Sequence, residues 1–416
     1  MSTGDVPLTR VNGGASGSRK GVRRFLYAST AFWGVSLGLI SATLPFRFEQ
    51  LGLPVIDYGI ALSIYAAGMI PSEAIWGAVA FRLGRPAVLI AVGSVVGVAT
   101  LVLGYAKTFP LILVAEVLLG AFGVYLAPIL RWVSFAYGGA GSEGTGTGRW
   151  SSVFGLGIAT GVAIGPVGFV AYGFGDVALE SVGALAVAVA AAALLPWSRA
   201  SLPTATKVGG PALKAVMTRP FLIAVGLVLI TFTAMTFTTN FLQYYSTILF
   251  GGTTADAGYL LGAARLVTVG AAFLMGTLVD RWGPGRTIPA GFALLLLGGI
   301  ATWAARSYDE MIAATLIFSA GLGWLFASIL PFAMNTMPHE SQGTAIGVFG
   351  SMEDAGLLIG PLLFGSAWAM FGARSLFPAV TALATGGVLG SLLYTYRVPG
   401  PLPQQASPEP AASDSR

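Results

Sequence analysis

Two short stretches of this chain, about two hundred residues apart, say nearly the same thing. Gly77-Ala78-Val79-Ala80-Phe81-Arg82-Leu83-Gly84-Arg85 is answered by Gly276-Thr277-Leu278-Val279-Asp280-Arg281-Trp282-Gly283 and then Arg286. Val153-Phe154-Gly155, Gly161 and Gly165-Pro166 recur as Val348-Phe349-Gly350, Gly356 and Gly360-Pro361, and Gly120 with Pro128 recurs as Gly323 with Pro331. The offsets of 199, 195 and 203 agree closely enough to mean that one half is written twice.

That duplication sits in a chain built for lipid. Its mean hydropathy is +0.79, and 55% of its residues are hydrophobic against 9% charged, which does not suit a water-facing surface. A transmembrane helix needs roughly 20 apolar residues. Twelve segments qualify, at 25–46, 58–80, 87–106, 110–135, 150–172, 179–197, 220–247, 257–279, 286–305, 311–336, 345–371 and 376–396. A membrane β-barrel would instead show alternation in segments of about ten residues. The expected fold is an all-α membrane protein, with twelve transmembrane helices in two pseudo-symmetric six-helix bundles. The bundles are expected at 24–197 and 220–397, joined by a linker at 198–219 containing Pro203, Gly209, Gly210 and Pro211, with disordered tails at 1–23 and 398–416. Internal duplication in a membrane chain points to a transporter.

An even number of spans puts both termini on one side. If that side is the cytoplasm, it holds nearly all of the 22 Lys and Arg residues; Arg47, Lys107, Arg306 and Arg374 fall outside and Arg265 lies within a span. The positive-inside rule then places both termini in the cytoplasm and the chain in the inner cell membrane. Scattered over inner loops, the basic residues explain a pI near 9.5 without forming a stripe for nucleic acid. No short apolar segment with a cleavage site opens the chain, so the first hydrophobic segment is expected to be a retained span. The lack of cysteine excludes disulfides and thiolate metal sites, and the single histidine, His339, excludes a histidine cluster.

The pattern G-x-x-x-D-R-x-G-x-x-R after span eight, partly repeated after span two, resembles that of the major facilitator superfamily, and the resemblance covers residues 24–397. The second copy carries Gly276, Asp280, Arg281, Gly283 and Arg286; the first carries Gly77, Arg82, Gly84 and Arg85 but has Phe81 where the family has aspartate. Gly161-x-x-x-Gly165-Pro166 in span five is similar to the core of a motif of the family's drug/proton antiporters, with Phe169 and Val170 where that motif has a glycine pair. The resemblance implies secondary transport by alternating access, with spans one, four, seven and ten lining a central cavity.

Read physically, these motifs are mechanical. Gly161 and Gly165 mark a closely packed helix face, and Pro166 removes a backbone hydrogen bond where rocking halves can flex. Asp280 with Arg281 and Arg286 forms a latch between helix ends, since an acid offers nothing to the positive-inside rule. Arg82 and Arg85, without their acidic partner, anchor topology. Glu73, one turn before Gly77, belongs with the same inner gate.

Charges within the spans carry the sharper chemistry, because an ionisable side chain at the bilayer centre costs about 2.5–3.5 kcal/mol on insertion scales. Glu116 in span four must face a cavity, find a partner or be protonated. It stands where the resembling family often has arginine, so it favours protons and cationic or polar substrates. A structural pair of Glu116 with Arg265 across the halves is the alternative. Glu353 and Asp354 in span eleven point about 100° apart. Either Asp354 is a second proton site, or the two acids latch Arg82 or Arg85 in place of the aspartate missing at Phe81. In span seven Asn240, Gln243 and Tyr244 share one α-helical face, while Trp33 and Trp324 offer aromatic walls.

An enzyme would need convergent nucleophiles, bases or metal ligands, a channel an assembled filter, and an ATP-driven pump a phosphate-cradling loop with lysine; none is legible. The expectation is proton-coupled efflux of a hydrophobic or amphipathic small molecule by a monomer in lipid, driven by the proton gradient with no cofactor. Uptake or facilitated movement of a sugar or organic anion, or sensing without flux, is the alternative.

Overall fold

The computed structural model describes residues 16–83, 86–127, 130, 143–195, 216–337 and 342–395. Its helices are α1 (Ser16–Gln50), α2 (Val55–Leu83), α3 (Pro86–Tyr105), α4 (Phe109–Gly123), α5 (Glu143–Tyr172), α6 (Phe174–Ala193), α7 (Arg219–Phe250), α8 (Thr254–Trp282), α9 (Pro284–Ala304), α10 (Tyr308–Asn335), α11 (Gln342–Phe371) and α12 (Leu376–Thr395). Among the described residues there is no strand. Eleven of these helices are long and apolar enough to cross a membrane, and α4 is a shorter apolar helix. Large side chains such as Phe273 and Phe371, 75% and 73% exposed, cover the outside of the molecule. In water such a surface would be a liability; in lipid it is the expected finish.

Local chemistry sets the helix starts. Thr253 caps α8 by accepting from the Asp256 amide at 3.1 Å, while the Asp256 carboxylate accepts from the Thr253 amide at 3.0 Å. Ser307 caps α10 by accepting from the Glu310 amide. Between α8 and α9 the chain turns at Gly283, whose φ of +77° suits glycine, and Pro284 opens the next helix. At the other end α1 begins at Ser16, inside the stretch expected as a tail. Arg19, Lys20, Arg23 and Arg24 are good helix formers and extend the span beyond its apolar part. Residues 398–416 and most of the expected linker lie outside the described residues.

The duplication is visible atom by atom. A Cβ on Gly161 would run into Val35 O and Leu39 N of α1, and one on Gly356 into Leu229 O and Thr233 N of α7. Likewise a Cβ on Gly120 would strike Tyr65 O of α2, and one on Gly323 would strike Thr268 O of α8. Helix pairs repeat in the same way: α1 packs on α5 and α6, α2 on α4, and α3 on α4 and α6; α7 packs on α11 and α12, α8 on α10, and α9 on α10 and α12. Between the halves α2 meets α11 and α5 meets α8. Exchanging the halves turns one of these interfaces into the other, as a two-fold relation requires. Small residues let the backbones approach at both: a Cβ on Gly59 would run into Pro361 O, and one on Gly258 would come within 2.8 Å of the ring of Pro166.

Span four departs from expectation. A continuous helix was expected over 110–135, but α4 stops at Gly123 and Val124 caps it with a turn. Its 15 residues rise about 22 Å, short of the roughly 30 Å hydrocarbon core. Gly123 and the β-branched Val124 are weak helix residues. Four residues beyond Val124, Pro128 has no N–H to offer the Val124 carbonyl.

Candidate functional site

A cavity of about 280 Å³ lies between the halves. Most of its wall is apolar and comes from α1, α2 and α4 of the first half, closed by Met235, Thr239 and Asn240 of α7, Arg265 of α8, and Leu357 and Pro361 of α11. Trp33 forms one side, tilted against Phe154 with ring centres 4.6 Å apart, and Phe154 stacks in turn on Trp150 at 5.5 Å.

Two charged side chains reach this cavity from opposite halves. Glu116 is 3% exposed, and its Oε1 has no hydrogen-bond partner. Arg265 lines the same space, and its Nε is also buried without a partner. The two form no ion pair, so the structural Glu116–Arg265 bridge is not what holds them there. Each of these lining residues instead carries a buried polar atom without a partner.

The three α7 residues expected on one face separate. A π-turn at Phe237–Phe241 inserts extra backbone into the helix, which breaks the i, i+3, i+4 alignment. Asn240, inside the turn, faces the cavity. Gln243 is buried away from it, donating weakly to Thr239 O at 3.4 Å with its Oε1 unpartnered. Tyr244 turns to the other half and donates its hydroxyl to Pro45 O of α1 at 2.5 Å.

Tyr244 belongs to an aromatic cluster that caps the cavity at the end bearing the α1–α2 and α11–α12 turns. Tyr58 of α2 stands edge-on to Phe48, Phe241 and Tyr244 at 5.4, 5.7 and 5.7 Å. Phe241 meets Phe364, and Tyr244 meets Trp368, both at 5.9 Å. Helices α1 and α2 are thereby joined to α7 and α11 beyond the cavity.

Other expected residues stand elsewhere. Trp324 does not line the cavity; it packs beside Gly291 of α9, with its Nε1 buried and unpartnered. No residue of α10 is among those that line this cavity. Asp354 is buried and Glu353 half-buried, and neither is among the lining residues, although Leu357 one turn on is. Gly161 and Gly165 face α1, while Pro166 faces α8, so the span-five motif serves both an internal and an inter-half contact. Arg281 and Arg286 are exposed. Gly84 and Arg85 lie outside the described residues, as do the surroundings of Glu73, Gly77, Arg82, Gly276 and Asp280.

The sequence reading missed the hydroxyl part of the wall. Ser36 of α1 and Ser181 of α6 join side chain to side chain at 2.9 Å, and Ser181 also donates to Ser36 O at 3.0 Å; both residues line the cavity. Most serines and threonines in these helices bond back to their own turn, as Thr100 does to Val96 O. Only the partner across the fold separates the two kinds.

Curated relatives match parts of the chain. It is 26% identical over 119 residues to the riboflavin transporter RibZ of Clostridioides difficile (strain 630), covering 29% of this chain and 26% of that protein. It is 33% identical over 126 residues to the alpha-ketoglutarate permease of Bacillus subtilis (strain 168), covering 28% of each. The match therefore spans about a quarter of the length of the curated relatives. Among solved structures, a mutant of the nucleoside transporter NupG superposes with a TM-score of 0.76 at 12% identity, over 90% of this chain and 99% of that one. The family model for the Major Facilitator Superfamily matches residues 25–361 and 227–414. With that match over nearly the whole chain and the same fold, this multi-pass membrane protein belongs to the Major Facilitator Superfamily, a family of transporters and not of enzymes.

Proposed function

We propose that the protein is a secondary transporter that works by alternating access and exports a hydrophobic or amphipathic small molecule in exchange for protons. The observation that carries this is Glu116: a buried carboxylate with an unpartnered oxygen, on the wall of a mostly apolar cavity between two halves. A carboxylate in such a place binds a proton or a cationic group of the substrate, and each displaces the other. That competition couples the two fluxes. The other charged or titratable groups lining the cavity, Tyr65 and Arg265, act on the same equilibrium. The aromatic cluster at Tyr58 and Tyr244 supports the mechanical half of the reading, because it closes one end of the cavity with contacts that rocking halves can break. The driving force is the proton gradient, with no bound cofactor. The protein works as a monomer in the inner cell membrane, with both termini in the cytoplasm.

Arg265 favours a second reading, uptake or facilitated movement of a polar or anionic solute, since an unpartnered guanidinium in the cavity suits an anion. The matched relatives, named for riboflavin, alpha-ketoglutarate and nucleosides, do not single out drug export.

Purified protein in liposomes with an imposed pH gradient and an internal pH dye separates the two. Substrate-triggered proton movement that disappears in Glu116→Gln is the expected result. Equal flux in both proteins without proton movement would overturn proton coupling and leave a facilitator.

A further inference from the structure

The cavity holds an unsolved electrostatic problem. Glu116 and Arg265 enter it from different halves, each with a buried polar atom lacking a partner, and they do not satisfy each other. Burying opposite charges without pairing them is expensive, and a single opposite charge on a ligand would relieve only one of them. We propose that the substrate is a small amphipathic zwitterion whose ammonium group pairs with Glu116 and whose carboxylate pairs with Arg265. Its apolar body rests against Trp33, Met69 and Met235. Asn240, with both a donor and an acceptor, stands beside these groups on the α7 π-turn and accommodates the polar backbone of such a molecule.

Size narrows the class further. At about 280 Å³ the cavity falls just below the range of about 300–1,000 Å³ typical of small-molecule sites. That space suits one aromatic ring with a short polar head, as in an aromatic amino acid, and not a multi-ring drug. A zwitterion also explains why the two charges sit on opposite halves. A ligand that pairs with both ties the halves together around itself, whereas a singly charged ligand engages one half alone.

This inference rests on the transport reading but is tested by binding, so the two fail separately. Four probes share one single-ring side chain: L-phenylalanine, phenylalanine methyl ester, N-acetylphenylalanine and N-acetylphenylalanine methyl ester, which are zwitterion, cation, anion and neutral species when the free amine is protonated. Their affinities for the full-length protein are measured by calorimetry in detergent. The expected order puts the zwitterion about 10-fold or more ahead of each of the others, because each lost charged hydrogen bond strands a buried partner. Arg265→Gln should close the gap between zwitterion and cation, and Glu116→Gln the gap between zwitterion and anion. Arg265→Lys and Glu116→Asp, which keep the charges, should keep the order and guard against misfolded variants. Equal binding of all four, a cation or anion as tight as the zwitterion, gaps that survive the neutral variants, or no binding of any probe to wild type would each overturn the proposal. Zwitterion-selective binding in a protein that moves no protons would leave it standing while removing proton coupling.

Discussion

Helices α4 and α10 are one helix written twice, and their likenesses and differences fall in different places. Gly120 and Gly323 keep the same neighbours, Tyr65 O on α2 and Thr268 O on α8, at the same offset of 203 residues. At that offset Glu116 corresponds to Ser319, Gly123 to Phe326 and Val124 to Ala327, while on the partner helices, at their offset of 199, Ala66 corresponds to Arg265. At this pair of contacts the two copies have not drifted, because a single added methyl has nowhere to go. The cavity wall tolerates drift and has used it. Both of the cavity's full charges, Glu116 and Arg265, lie at positions where the two copies disagree. In this duplicated fold, the frame is what the halves share, and the chemistry is where they part.

Placing the carboxylate in the wrong copy should break that comparison hardest. Ser319 is 1% exposed and does not line the cavity. Ser319→Glu is therefore expected to destabilise the protein by about 3 kcal/mol, the scale for an acid in the membrane interior. Glu116→Gln, in contrast, removes an unpartnered buried charge and should raise stability by about 1 kcal/mol while abolishing proton coupling. Thermal unfolding in detergent, followed by tryptophan fluorescence, reads both. If Ser319→Glu is tolerated as well as the native Glu116, the cavity does not account for the acid's position.

The frame gives the next largest effect. Gly120→Ala and Gly323→Ala each drive a methyl into a backbone carbonyl, and each should cost about 2 kcal/mol, the range for overpacking. Near-equal losses would confirm that the two copies carry equal structural weight. A loss confined to one would show that the contact has relaxed in the other half.

Much of the frame was legible in the sequence, because lipid leaves few choices: apolar runs of sufficient length become helices, and repeated small residues mark their contacts. Glu116 stood out for the same reason. The rest of the site was less readable. The π-turn that brings Asn240 in and turns Gln243 and Tyr244 out has no period to announce it. The Ser36–Ser181 bond joins residues 145 positions apart, a distance over which no local pattern speaks. Trp324 looked like a wall and is packing, since an aromatic side chain has the same signature in either role.

Tyr244 gives a smaller test of the asymmetry. Its hydroxyl ties the second half to Pro45 of the first, and Tyr244→Phe keeps the ring packing while removing that hydrogen bond between the halves. The loss of about 1.4 kcal/mol should favour opening of that end by about 10-fold. The chain has no cysteine, so spin labels at Lys107→Cys and Arg306→Cys, on matching exposed turns of the two halves, report the separation without interference. A longer distance population should grow in the variant; an unchanged distribution would show that the aromatic contacts alone hold that end.

The smallest effect concerns the break in α4 itself. Nothing lies within 4 Å of where a Cβ on Gly123 would stand, so alanine fits without strain. Gly123→Ala strengthens the helix and should add about 0.5–1 kcal/mol. If the early end of α4 is set by weak helix residues, this change and Val124→Ala should together move α4 toward the continuous form of α10, where Phe326 and Ala327 occupy the same places. Backbone hydrogen exchange at residues 123–127 reads that directly, with slower exchange expected in the double variant. Exchange that does not change would shift the cause to Pro128, whose counterpart Pro331 is carried within α10 without ending it.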